Sequence, residues 1–354
     1  MKKLFIAIAA LAAMTSCSQD EVMEVAQKQA ISFGSAFVGN ATRAASATDP
    51  SYYTDGEDKH EQLEAFNVYG TVNGVNIFNG NEVTKGTAAY GAVWTQVGTP
   101  QYWVPNANYA FVAIVDGNKT VDSKKITETA TDKTTGMPTT ITYNADGKTD
   151  LLCARVNRPT NINYDVVAFE FKHLLSKVKF SIENTSAANA TNYRYVISGA
   201  TLTNVYESGT YNVPTVNSNG SNGTWSYPQA TGSYALDSEF TVNSATVEFN
   251  ESEVLLIPGS AVGISFTVEL QTKDAKNNWV TVSSEDKTYE AVLGENNVLV
   301  ANSAYHFILK VGIGGLIQFT ATEMPSWTTV GDITVATITD PEVDEEEGEG
   351  GTEE

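Results

Sequence analysis

The sequence predicts an all-β protein built from two tandem antiparallel β-sandwich domains, and three observations carry that expectation. Charged residues make up only 18% of the chain, while Thr, Asn, Ser, Val, Ala and Tyr are abundant. β-Branched and aromatic residues fit a pleated, half-buried surface, and Gly and Asn fit its turns. Short strand-like runs recur between clusters of Gly, Asn, Asp and Pro, the spacing expected of sandwiches. A length of 354 residues allows about two domains. Each would then be large enough to bury a core.

The first residues stand apart from that fold. Lys2 and Lys3 precede an uncharged apolar run, Leu4 to Met14. The run is too short to span a bilayer as a helix, which takes ~20 residues, and it has the length of a secretory signal. Residues 1–16 therefore read as a signal peptide. Met14-Thr15-Ser16-Cys17 resembles a bacterial lipobox, which makes Cys17 the expected lipidation site and the first residue of the exported chain. Residues 18–30 follow as a tether.

"AISFGSAFV", residues 30–38, carries Ile31, Phe33 and Phe37 in alternation and reads as a first strand with one apolar face. "GNATRAASATDP" follows as a small, polar, turn-rich loop whose charged residues are Arg43 and Asp49. Strands are then expected at "AFNVYGTV", "AVWTQV", "QYWVP", "YAFVAIV", "ITYN", "DLLCARV", "VVAFEF" and "KVKFSIEN". "FKHLLSKV", residues 171–178, could form a helix, but Val178, Phe180 and Ile182 alternate directly after it, so strand is expected. A second series runs from "YRYVISGATLTNVY" through "EVLLIP", "VGISFTVELQT" and "AYHFILKVGI" to "DITVATI". The domain boundary is placed near residue 170, giving units at 44–170 and 171–339. Residues 340–354, "DPEVDEEEGEGGTEE", hold nine acidic residues and no basic ones, and predict a solvated, disordered tail.

Composition also excludes function classes. A formal net charge of -21 argues against nucleic-acid binding, which needs clustered Lys and Arg. His60, His173 and His306 are far apart, and no HExxH, CxxC, P-loop, GxSxG or dinucleotide fingerprint occurs. No cofactor, metal or catalytic residue is expected, and the chain does not read as an enzyme. Cys153 has no partner once Cys17 is acylated and reads as core. Asp165 with Glu170, or Glu248 with Glu251, could be proposed as paired carboxylates, but among 42 acidic residues such pairs arise by chance. Trp94, Trp103, Trp225, Trp279 and Trp327 read as sandwich aromatics rather than a sugar-stacking platform.

Several stretches together resemble the fimbrillin family, the subunits of type V pili in Bacteroides-like bacteria. They are the lipobox start, "ISFGSAFVGNATRA", "YWVPNANYAFVAIV", "DLLCARV" with "VVAFEFKHLLSKVKFSIEN", "LLIPGSAVGISFTVEL" and "SAYHFILKVGIGGLIQFTATEMPSW". The resemblance spans roughly residues 1–335. It implies two transthyretin-like sandwiches and a precursor carried as a lipoprotein to the outer membrane. It further implies a trypsin-like protease that cuts after an Arg in the first loop, and polymerisation by strand exchange into an extracellular fimbrium. Carried onto this chain, the cut falls at Arg43-Ala44 and residues 17–43 form the propeptide. The removable strand holds Ile31, Phe33 and Phe37. The donor strand lies within 316–338, with Leu316, Ile317, Phe319, Ile333, Val335 and Ile338 as its apolar contacts. The partners implied are neighbouring pilin subunits. "DITVATI" favours a shaft subunit. The alternative is a surface-anchored glycan-binding lipoprotein, or a tip or anchor adhesin.

The residues support cleavage without the family. Arg43 is the only basic residue between Lys28 and Lys59, and its neighbours Ala41, Thr42, Ala44, Ala45 and Ser46 are small. An accessible loop of this kind is where nicking occurs.

Overall fold

The structure, a computed structural model, describes residues 29–38, 63, 65–86, 94–117, 125–159, 165–184, 192–215, 223–228, 232–242, 246–248, 254–259, 261–290, 298–311 and 318–323. Among these residues all helical and strand structure is strand, so the fold is all-β. The stretch 171–178 makes a strand, a bend and a second strand.

The first sheet contains β1 (Phe33–Val38), β2 (Ala65–Val72), β3 (Val75–Lys85), β4 (Trp94–Gln96), β5 (Tyr109–Asp116), β8 (Leu151–Arg158) and β9 (Val167–His173). In the order β1-β4-β3-β2-β5-β8-β9 it closes on itself as a barrel. Two sandwich layers become a barrel when one strand joins their open edges; here that strand is β1. The β2–β3 turn is Asn73-Gly74, with φ of 50° and 79°. Positive φ at both positions is what a two-residue hairpin requires, and Asn-Gly supplies it at low cost.

The intervening strands β6 (Ile126–Thr131) and β7 (Pro138–Asn144) form a second sheet with β12 (Ser208–Asn212) and β13 (Thr224–Ser226), in the order β13-β12-β7-β6. This sheet packs on the outside of the barrel. β5 is consequently buried on both faces: Phe111, Ala113 and Val115 point into the barrel, while Val112 and Ile114 join Ile141, Tyr143 and Tyr211 in the layer outside it. A strand covered on both sides reads as a continuous apolar run, which is why "YAFVAIV" shows no polar alternation. Cys153 on β8 lies in the same outer layer, 7% exposed, and burial pushes its thiol pKa up to about 12.

The remaining strands make a two-layer sandwich. One layer joins β10 (Ser176–Asn184), β15 (Thr246–Glu248), β16 (Val254–Leu256), β19 (Ala304–Val311) and β20 (Gln318–Glu323). The other runs β14-β11-β17-β18, from β11 (Tyr193–Val205), β14 (Gly232–Val242), β17 (Gly263–Lys273) and β18 (Trp279–Glu290). Val178, Phe180, Ile197, Leu202, Ile264, Phe266, Tyr305 and Phe307 fill the space between them. Residue 170, the expected boundary, lies in β9, one strand before the change of sheet at β10. The halves are nevertheless joined: β12, from the second half, pairs with β7 from Ser208↔Asn144 to Asn212↔Thr140.

Candidate functional site: the seat of the first strand

The polypeptide from Gln29 to Val38 is held on both sides. On one side it lies antiparallel to the β4–β5 connection: the Ile31 N–H donates to the Gln101 carbonyl at 2.8 Å, and the Trp103 N–H donates to the Gln29 carbonyl at 3.0 Å. Phe33 then pairs with Trp94 of β4. On the other side the Val167 N–H donates to the Ser32 carbonyl at 2.8 Å, and β1 runs parallel to β9 from Phe33↔Val167 to Val38↔Phe171. The register slips between Gly34 and Ala36, so Ser35 is extra. A side chain at position 34 would start 2.3 Å from the Val166 Cγ1 atom; glycine there permits the close approach of β1 to the start of β9.

Side-chain packing matches the backbone. Ile31 is 6% exposed and Phe33 3%. The Phe33 ring sits among four others, with centroids 6.1 Å from Phe66, 5.5 Å from Phe78, 6.1 Å from Phe111 and 5.9 Å from Phe169. The first three contacts are edge-to-face and the last is stacked, the arrangements that aromatic quadrupoles favour. These rings come from β2, β3, β5 and β9, so one residue of β1 touches much of the barrel core. Trp94 and Trp103 close the same cavity, 7% and 5% exposed. Taking β1 away would leave a groove floored by phenylalanines and edged by unpaired backbone of β9 and residues 101–103. Such an edge invites another strand.

Phe37 pairs through its backbone with Glu170. Phe319 lies in β20, opposite Leu309 of β19, so residues 318–323 already form the edge of this chain's own sandwich. Cys17, Arg43, Ala44, Leu316, Ile317, Ile333, Val335 and Ile338 lie outside the described residues, as do His60 and Trp327. Of the other histidines, His306 sits on β19 opposite Lys179, and His173 Nδ1 is 2.5 Å from an Asp150 carboxylate oxygen whose partner oxygen accepts the Leu151 N–H. Asp165 and Glu170 are both exposed. Trp225 donates its Nε1–H to the Leu174 carbonyl at 3.0 Å, and Trp279 lies under Arg194 at 4.7 Å. Sequence reasoning named the apolar face of β1 but missed Gln101, Trp103, Val166 and β9 as its walls. Those partners lie tens of residues away, and no local pattern marks them.

The chain is thus an all-β protein whose first described strand closes an aromatic barrel. The sequence matches the fimbrillin-like family over residues 42–327, and the chain belongs to that family. No curated protein matches it. Among solved structures it is similar to a fimbrial protein from Bacteroides vulgatus, with 12% identity, a TM-score of 0.52, and coverage of 73% of this chain and 91% of that one. It also matches a fimbrial assembly protein from Parabacteroides distasonis, with 10% identity, a TM-score of 0.35, and coverage of 77% and 91%. At such identities the first likeness establishes a shared fold. Family membership makes the chain a fimbrial, cell-adhesion type of protein that works outside the cell with other subunits.

Proposed function

We propose that this chain is a shaft subunit of a type V pilus, structural rather than enzymatic, which polymerises by β-strand exchange. The precursor is lipidated at Cys17 and held at the outer membrane. A trypsin-like protease cuts between Arg43 and Ala44, β1 leaves with residues 17–43, and the strand of another copy takes its seat. The observation that carries the reading is the lodging of Ile31 and Phe33 among Phe66, Phe78, Phe111 and Phe169, a few residues ahead of Arg43 in the sequence. The seat is apolar and hydrogen-bonded on both sides, so an alternating strand from elsewhere can fill it. The family match begins at residue 42, beside the proposed cut.

The donor is narrowed to residues 333–338, "ITVATI". Ile333, Val335 and Ile338 supply its apolar contacts, while Phe319 is set aside because β20 is already engaged by β19. The test is limited trypsin treatment of the precursor. N-terminal sequencing should give Ala44 as the new start, followed by SDS-resistant ladders and filaments. A product that begins at Ala44 and stays monomeric refutes strand exchange.

A further inference from the structure

We propose that the acidic segment Asp340–Glu354 of one copy docks on a groove of the next that is lined by Arg155 and Arg158 and has its Arg158 end at the start of the β1 seat. The contact fixes the direction in which the donor strand enters. The proposal rests on the strand-exchange reading above.

An open groove of about 480 Å³ lies beside the ends of β5 and β8. Arg155, Arg158, Asn157, Asn108, Thr71 and Tyr109 line it, and among the described residues no carboxylate does. In a chain with 42 acidic and 21 basic residues, such a lining stands out. Both guanidinium groups are oriented by neutral partners. Arg155 donates Nε–H to Asn157 Oδ1 at 3.2 Å and Nη1–H to the Pro214 carbonyl at 2.9 Å. Arg158 donates Nη1–H to the Asp165 carbonyl at 3.3 Å and Nη2–H to the Val166 carbonyl at 2.7 Å, and lies 5.7 Å from the Trp103 ring centroid. A guanidinium has five N–H donors, so each head keeps donors to spare. Among the described residues, neither is within ion-pair distance of a carboxylate. Burial lowers the pKa of both arginines, with the Asp165 charge a smaller opposing influence on Arg158. Half-buried cations whose hydrogen bonds go to neutral groups gain from an arriving carboxylate, which can accept two parallel N–H bonds.

Position selects the occupant. Arg158 grips the Val166 carbonyl; the Val166 side chain abuts Gly34, and Val167 pairs with Phe33. Arg158 therefore stands where β1 begins, with Arg155 further along the same groove. A donor running in the direction of β1 would carry its tail away from them, towards the Val38 end. A donor running the opposite way brings its C-terminal end to Arg158. Asp340 and Glu342 follow Ile338 by two and four residues, or ~7 and ~13 Å of extended chain, which suffices to reach both arginines. The reversed donor would pair antiparallel with β9, where β1 is parallel, and parallel with β4, where β1 is antiparallel. Exchange thus reverses both pairings of the seat and adds a charged latch.

The test is a chain carrying C17S, P159C and E342C, cut with a trypsin-like protease and oxidised; position 159 is exposed and Cys153 is buried. Expected are disulfide-linked ladders between subunits in the polymer and no link in the uncut precursor. A link inside the precursor monomer assigns the groove to the chain's own tail and overturns the proposal. Polymers without the link overturn it too, leaving strand exchange standing. If no polymer forms, strand exchange itself fails and the latch with it. A second measurement avoids the arginines' own contacts. D340N, E342Q and D344N together should leave precursor melting unchanged but speed polymer dissociation in denaturant about fivefold or more, from ~1 kcal/mol for exposed charge pairs, and flatten its salt dependence. An unchanged rate and salt dependence overturn the proposal.

Discussion

Replacing Phe33 by Ala is the sharpest probe of the β1 seat. The ring is 3% exposed and touches rings from four strands, so it cannot be removed without a cavity. Phe→Ala changes in cores cost ~3–5 kcal/mol from lost transfer free energy plus cavity formation. The upper part of that range applies because the surrounding rings belong to a closed barrel and cannot collapse inward freely. About 4 kcal/mol is a large share of a typical domain stability of ~5–15 kcal/mol. Urea unfolding of the uncut precursor, followed by the fluorescence of the buried Trp94 and Trp103, should show this loss as a lower midpoint with an unchanged slope. Val75→Ala, at a position 65% exposed, should stay within ~0.5 kcal/mol as the control. In the cut protein, the same substitution weakens the retention of β1 by as much as ~1,000-fold, since each 1.4 kcal/mol is tenfold. Polymerisation should then accelerate if release of β1 limits it. If F33A unfolds like wild type, within ~0.5 kcal/mol, the packing argument for the seat is wrong.

Three further outcomes are expected. Ending the chain after Glu323 should leave precursor melting unchanged while blocking polymer growth after cleavage; ending it after Val311 should also lower melting, because the β19–β20 ladder is lost. Cys153, with its thiol pushed up to about 12 by burial, should resist maleimide at pH 8 in the folded protein and react fully in denaturant. Stability should fall as pH drops below the ordinary carboxylate range of ~4. The Asp132 carboxyl is held low by N–H bonds from Thr135 and Thr134. At Asp146 burial pushes the value up, but hydrogen bonds from Thr149 and Lys148 outweigh it. Groups depressed by folding stabilise fully above their unfolded pKa and lose that contribution as acid protonates them. The unfolding midpoint measured from pH 6 to pH 3 should therefore drop less steeply in Asp146→Asn than in wild type.

The alternation of Ile31 and Phe33 in the sequence marks an apolar strand face, and the structure buries both side chains. The run "YAFVAIV" gives a strand, yet only the second sheet packed outside the barrel explains why it has no polar face. Sandwich layers were legible from short strands and turn clusters. Closure into a barrel was not, because it depends on β1 meeting β9 in parallel, with Phe33 opposite Val167, more than a hundred residues away. The same holds for β20: "GLIQFTAT" alternates like a free donor, but residues 318–323 pair with β19.

By itself the sequence indicated many of the strands, though it passed over β3 and β6 and expected one at "QYWVP", where only Tyr102 bridges; it also showed where charge gathers and which catalytic motifs do not occur. These are local properties, written in periods of two residues and in runs of one residue type. Only the tertiary structure decided which strands pair, in which direction, and what lies beneath each apolar face. Side-chain alternation says that a face must be covered; hydrogen bonds and packing between distant segments choose the cover. That choice places Phe33 among four phenylalanines and sets Arg158 on the Val166 carbonyl, beside the start of β9.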